Sequence, residues 1–215
     1  AYFIMGRSVN SRNRVFDVIE GGIRTMAANP AKMTDPHLII YNPVLTHNNT
    51  TIVTNGDQTN TIRDFMARGD FPKFSFEAAL ATRTFEDDGP NWTPRISGVV
   101  DMLAGTYKLS ILKSNEGDAA SMQRFIYNYP QPLPGEGHFI STYMGNGTPL
   151  PSFAGEPLRV ALDENDPDEF AGRLWEVLNE ENKVSLFVRG IELATGGYKD
   201  VIINKYQALG GQENE

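Results

Sequence analysis

Cysteine is missing from all 215 residues, which removes disulfides, thiolate nucleophiles and cysteine-ligated metal, and suits the reducing cytoplasm. Long apolar runs are missing too. No stretch approaches the ~20 residues that a membrane helix needs, and no leader-like segment opens the chain at AYFIMG, so a cytoplasmic protein without membrane attachment is expected. Histidine is scarce, and His37, His47 and His138 are too scattered to suggest a triad or a metal cluster. Positive charge is in deficit: the net charge is −8 and the isoelectric point about 4.9, with acids spread along the chain, so nucleic acid is not an expected partner. Phosphate-binding glycine loops, dinucleotide fingerprints, HExxH and nucleophile elbows are all absent.

What is present is a dense pattern of strands and a few helices. AYFIMG reads as the middle of a strand, and RVFDVIEGGIRTMAA as a hairpin turning at Gly21-Gly22. HLIIYNPVLTHNNTTIVTNG reads as a second hairpin turning near His47 to Thr50. Behind it, Thr59 or Thr61 is expected to cap a helix through IRDFMARG, with Ile62, Phe65 and Met66 on one face and Gly69 at its end. SFEAALATRTFE predicts a second helix capped by Ser75, and TPRISGVVDM, YKLSILKS, QRFIYNYP and HFISTYM predict strands. DPDEFAGRLWEVLNEEN predicts an amphipathic helix with Phe170, Leu174, Val177 and Leu178 inward, followed by strands KVSLFVRGIEL and DVIINKYQAL. The order predicts an α+β protein of layered, mainly antiparallel sheets in one domain over residues 1–215.

Four segments place polar groups at the ends of apolar strands, where a rigid scaffold can aim them: GRSVNSRNRVF, IIYNPVL, TNGDQTNTI and TFEDDGPNWTPRI. Each alone has an ordinary structural explanation, as loop charge, turn or helix cap. TNGDQTNTI in particular is polar beyond what a connection requires, and reads either as a cap or as part of a site.

Together, YN, TNGDQTNTI, NWTPRI and FISTYM resemble, in order and spacing, the archaeal-type inosine monophosphate cyclohydrolase family; the resemblance runs from AYFIMGRS to LFVRGIEL. It implies a four-layer αββα sandwich of the N-terminal nucleophile hydrolase type, although residue 1 is Ala and offers no side-chain nucleophile. It also implies closure of 5-formamidoimidazole-4-carboxamide ribotide to inosine monophosphate with loss of water, without cofactor or metal, in a homo-oligomer. The family's usual first strand has no match before Ala1 and is expected to be missing. NWT carries one residue more than the usual NT, which puts Trp92 at or over the site.

Ring closure needs a weak amide nucleophile brought to the formyl carbon, stabilisation of a developing oxyanion, and movement of protons. Matched onto the resemblance, Tyr41 donates to the formyl oxygen or relays a proton, and Glu86 takes the proton from the carboxamide nitrogen, with Asp87 and Asp88 as bystanders. Arg12 matches the arginine closing the first loop, and a two-residue shift selects Arg14; both are kept, as catalytic and phosphate-binding candidates. Asn42 and Asn55 are expected to orient the carboxamide or base, and Arg95 to bind phosphate or the developing charge. Gly56 and the helix start behind it are expected to offer N–H groups to the phosphate, and Thr142 and Tyr143 to line the pocket. The alternatives are an amidohydrolase of the same fold and a purine-nucleotide binder without turnover.

Overall fold

A computed structural model describes residues 1–34, 36, 40–69 and 74–208. Every strand pairing described is antiparallel, so the chain is an α+β protein on antiparallel sheets. It divides into two compact units, one of residues 1–43 with 164–215 and one of residues 44–163.

In the first unit, strand β1 (Tyr2–Met5) pairs with β11 (Lys183–Glu192), which pairs with β12 (Gly197–Asn204). A single helical turn, α1 (Val9–Arg12), leads into the hairpin of β2 (Arg14–Ile19) and β3 (Gly22–Ala27). The turn is Glu20-Gly21, one residue earlier than the sequence suggests, and Gly21 takes the positive φ of +71° that a glycine accepts without strain. The amide of Asn204 clasps the hairpin to the sheet: it accepts from Phe16 N–H (2.8 Å) and donates to Phe16 O (2.9 Å). Helix α4 (Pro167–Val177) lays Phe170, Ala171, Leu174 and Trp175 onto Leu186, Val188, Val201 and Ile203. Val177, expected inward, is 78 % exposed, because it lies at the edge of the stripe centred on Ala171 and in the last turn; Leu178 is the half-buried cap.

In the second unit, β4 (Val44–His47), β5 (Thr50–Thr54), β6 (Arg95–Asp101), β7 (Tyr107–Asn115) and β8 (Asp118–Tyr129) follow one another across the sheet in chain order. The β4–β5 turn falls at Asn48-Asn49, as the sequence predicts, with Asn48 at φ +50°. The predicted strand N-terminal to Val44 is not formed over residues 40–43, and His37, Leu38 and Ile39 lie outside the described residues. Tyr41 is held instead by Thr25, whose hydroxyl accepts Tyr41 N–H (3.0 Å) and whose N–H donates to Tyr41 O (2.8 Å), while Pro43 has no N–H for a ladder.

Helices α2 (Gln58–Arg68) and α3 (Ser75–Ala81) cover one face of this sheet through Ile62, Phe76, Ala79 and Leu80, packed on Ile52, Val99 and Leu112, with Phe65 and Met66 alongside. Gly69 ends α2 at φ +70°, as predicted. The predicted caps are wrong in position: Asp57 precedes α2 and Phe74 precedes α3, so Thr59, Thr61 and Ser75 all lie inside helices. The HFISTYM strand is also shorter than predicted, as β9 (Glu136–Phe139) pairs with β10 (Leu158–Ala161) and Tyr143 makes an isolated bridge to Ser152.

Ile62 is fully buried. Ile62→Ala is therefore expected to cost about 2–5 kcal/mol in urea unfolding, against less than about 0.5 kcal/mol for Val177→Ala. Similar costs for the two would contradict the packing described.

Candidate functional site

The polar segment TNGDQTNTI is a folded knot rather than an open loop. The Thr54 and Thr59 hydroxyls are 2.6 Å apart, both reach Gly56 O (2.7 and 3.1 Å), and Gly56 N–H lies 3.2 Å from Thr54 Oγ1. Asn55 clamps the knot to the TPRI segment: its Nδ2 donates to Pro94 O (2.8 Å), and its Oδ1 accepts from Ile96 N–H (2.9 Å) and from Gln58 Nε2 (3.1 Å). Asn55 is thus a structural clasp in this unit. Asn55→Ala would strand the Ile96 N–H and is expected to cost about 1–3 kcal/mol by denaturant titration.

Gly56 is needed for space, not for its φ. A Cβ there would fall 2.1 Å from Arg95 Nη1 and 2.8 Å from Arg95 Cζ, so the guanidinium occupies the space a side chain would need. Arg95 Nη1 is 3.3 Å from Glu86 Oε2, both side chains being about one-seventh exposed, and its Nη2 is 3.9 Å from Asp57 Oδ1. Asp57 also pairs with Arg83. Since its backbone is already helical and its side chain makes no capping bond, Asp57 serves these arginines rather than the helix start. Gln58 is fully buried; both partners of its Nε2 are acceptors, which fixes the amide's orientation and leaves Oε1 without a hydrogen bond, 2.7 Å from where a Gly56 Cβ would stand.

Glu86 opens a loop that closes on itself, because its N–H donates to Thr93 O (2.9 Å). Asp88 accepts from Thr93 N–H (2.6 Å) and from the Thr93 hydroxyl (2.5 Å). The hydroxyl has one proton, so the Tyr143 phenol, 2.5 Å away, donates to Thr93 Oγ1. Asp88 is therefore a structural anchor, and Tyr143 is brought to the loop that carries Glu86. Thr142 is placed beside it, its carbonyl accepting from Phe153 N–H (3.0 Å). Trp92, at φ +44°, packs over Gly89 and edge-on to Phe85 (ring centroids 6.1 Å), filling its own loop.

The remaining predicted residues belong to the first unit. Tyr41 is buried, and its phenol lies 2.9 Å from Tyr2 Oη and 3.4 Å from Arg14 Nη1. Arg14 has no salt-bridge partner among the described residues, and its Nε is buried without a hydrogen bond. Arg12 points elsewhere: Nε donates to Gly6 O (3.0 Å) and Nη2 to Asn182 Oδ1 (3.0 Å). A Cβ on Gly6 would overlap the Arg12 side chain at 2.6 Å, so this arginine is packed as a backbone clamp. Of the two arginines left open by the spacing, Arg14 is the one against Tyr41. Asn42 is half-buried beside it.

Tyr2, Gln58 and Thr93 were not singled out by sequence reasoning. Tyr2 reads as one more strand aromatic and Thr93 as a turn residue; only Gln58, an amide amid TNGDQ, carried a local signal. A cavity of about 340 Å3, lined by residues that include His47, Asp101, Tyr107, Lys108 and Asn128, holds none of the predicted site residues.

The same stretches that build these clusters are matched in known proteins. Residues 1–196 fit the family described as IMP cyclohydrolase-like protein. An IMP cyclohydrolase of Methanopyrus kandleri is 27% identical over 168 residues, spanning 78% of this chain and 76% of that protein. With the match running from Ala1 through all the clusters described and into the last hairpin, this chain belongs to the IMP cyclohydrolase-like family.

Proposed function

We propose that this protein is an IMP cyclohydrolase, closing the formamido carboxamide ribotide to inosine monophosphate with loss of water as a step of purine biosynthesis. Family membership supports the activity. The observation that carries the chemistry is the Glu86–Arg95 pair seated on Gly56, in which TNG, the acidic loop and TPRI meet inside one compact unit.

The reaction breaks down into balanced proton steps. The carboxamide nitrogen attacks the formyl carbon and loses one proton, while the former carbonyl oxygen gains one. The hydroxyl then leaves as water as the formamide nitrogen loses its proton, and the ring is closed. No redox or metal chemistry is required for this sequence. Glu86 is assigned the proton from the attacking nitrogen, and Arg95 holds that carboxylate in place. Arg95, already facing two carboxylates, is poorly suited to a phosphate dianion, and Arg14, which has no acidic partner among the described residues, is the better candidate. Tyr41 is assigned the proton given to the formyl oxygen. We extend this reading to a single cyclohydrolase-like domain spanning both compact units, of the four-layer αββα type, in a cytoplasmic homo-oligomer.

Incubation with the ribotide, followed by purine absorbance, tests the activity; tight inosine monophosphate binding without turnover would leave a nucleotide binder. Glu86→Gln is expected to lower kcat by about 10²-fold or more with little change in KM, the scale of a lost general base. A change confined to KM would make Glu86 a binding residue. Arg14→Ala is expected to raise KM sharply, whereas Arg12→Ala lowers the denaturation midpoint and leaves KM nearly unchanged; the reverse pattern would reassign the phosphate.

A further inference from the structure

We propose that Tyr2 is a positioning residue that holds the Tyr41 phenol as a proton donor; this rests on the role given to Tyr41 above. Among the described residues the phenol oxygen of Tyr41 meets two other groups, Arg14 Nη1 at 3.4 Å and Tyr2 Oη at 2.9 Å. A guanidinium can only donate, so Arg14 occupies an acceptor position on that oxygen. When Tyr2 donates as well, both of the oxygen's acceptor positions are filled and the Tyr41 proton is left for a ligand. Tyr2 is itself held on two sides, since its strand residue is in register with Phe187 and its ring packs on Phe16 at 5.7 Å. The Tyr41 backbone is equally fixed by Thr25.

The proton path follows. Tyr41 O–H breaks as the formyl oxygen takes its proton, and the phenolate left behind accepts from Tyr2 O–H and Arg14 N–H. The hydroxyl then takes the proton that Glu86 removed from the carboxamide nitrogen and leaves as water, while the proton lost from the formamide nitrogen restores the phenol. Hydrogen bonds to a charged oxygen are about twice as strong as those to a neutral one, so the Tyr2 donation gains strength as the transition state forms. Tyr2 therefore acts on kcat rather than on substrate binding.

The test is a double-mutant cycle with Tyr2→Phe and Tyr41→Phe, each variant keeping its ring. Tyr2→Phe is expected to lower kcat roughly 10-fold or more while KM and calorimetric inosine monophosphate binding stay within about twofold, somewhat less than loss of a donor placed directly on an oxyanion. Combining it with Tyr41→Phe is expected to lower kcat no further than Tyr41→Phe alone. Tyr2→His, which retains an N–H donor and also covers the case in which Tyr2→Phe fails to fold, is expected to lose less activity than Tyr2→Phe or, lacking that comparison, less than Tyr41→Phe. Additive losses, an unchanged kcat in Tyr2→Phe, an effect on KM alone, or a greater loss from Tyr2→His would each overturn the inference. Full activity in Tyr41→Phe would overturn the reading of Tyr41 itself, a different failure, since Glu86→Gln would still report on ring closure.

Discussion

The guanidinium of Arg95 rests where it does because residue 56 has no side chain. From that contact the arrangement of the second unit follows. The flat cation lies close to Glu86 and within reach of Asp57, the glycine carbonyl is held by a linked pair of threonine hydroxyls, one donating to it and the other to its neighbour, and Asn55 ties the turn to the strand that bears Arg95. A methyl group at position 56 would displace a charge, and with it the partner of the carboxylate assigned to proton transfer. Charge placement and steric space are one constraint here.

Polar groups in this knot divide between holding and acting. Asn55, Thr54, Thr59, Asp88 and Thr93 spend their hydrogen bonds on neighbouring backbone or on one another, which is how buried polar groups avoid the cost of desolvation. Gln58 Oε1 is a buried exception in the knot, and Arg14 Nε is another in the first unit. The same division separates two arginines of the N-terminal segment, one clamping a backbone carbonyl and an amide oxygen, the other set against a phenol with no acidic partner among the described residues.

Much of the fold was legible in the sequence because period and punctuation act locally. Gly69 ended its helix, the Asn48-Asn49 turn fell where expected, and the alternating runs became strands except over residues 40–43 and the end of HFISTYM. Helix starts were misread since a threonine hydroxyl suited to capping was drawn into a longer-range bond: Thr59 reaches back to Gly56 and Thr54 instead of standing at the boundary. The candidate site was legible as residue types and illegible as partnerships. Nothing in GRSVNSRNRVF distinguishes Arg12 from Arg14, because the distinction lies with Asn182 and Tyr41, 170 and 27 residues away. Tyr2 was invisible for the same reason.

The clasp between Asn204 and Phe16 joins residues 188 positions apart, and its amide stands beyond residue 196, where the family likeness stops. A side-chain amide there imitates a peptide group and completes hydrogen bonding for a hairpin near the opposite terminus. Boundaries drawn from similarity alone would sever β12 and leave that hairpin's edge open to water or to a stranger's strand. The last strand, though outside the shared pattern, is part of what keeps the beginning of the chain closed.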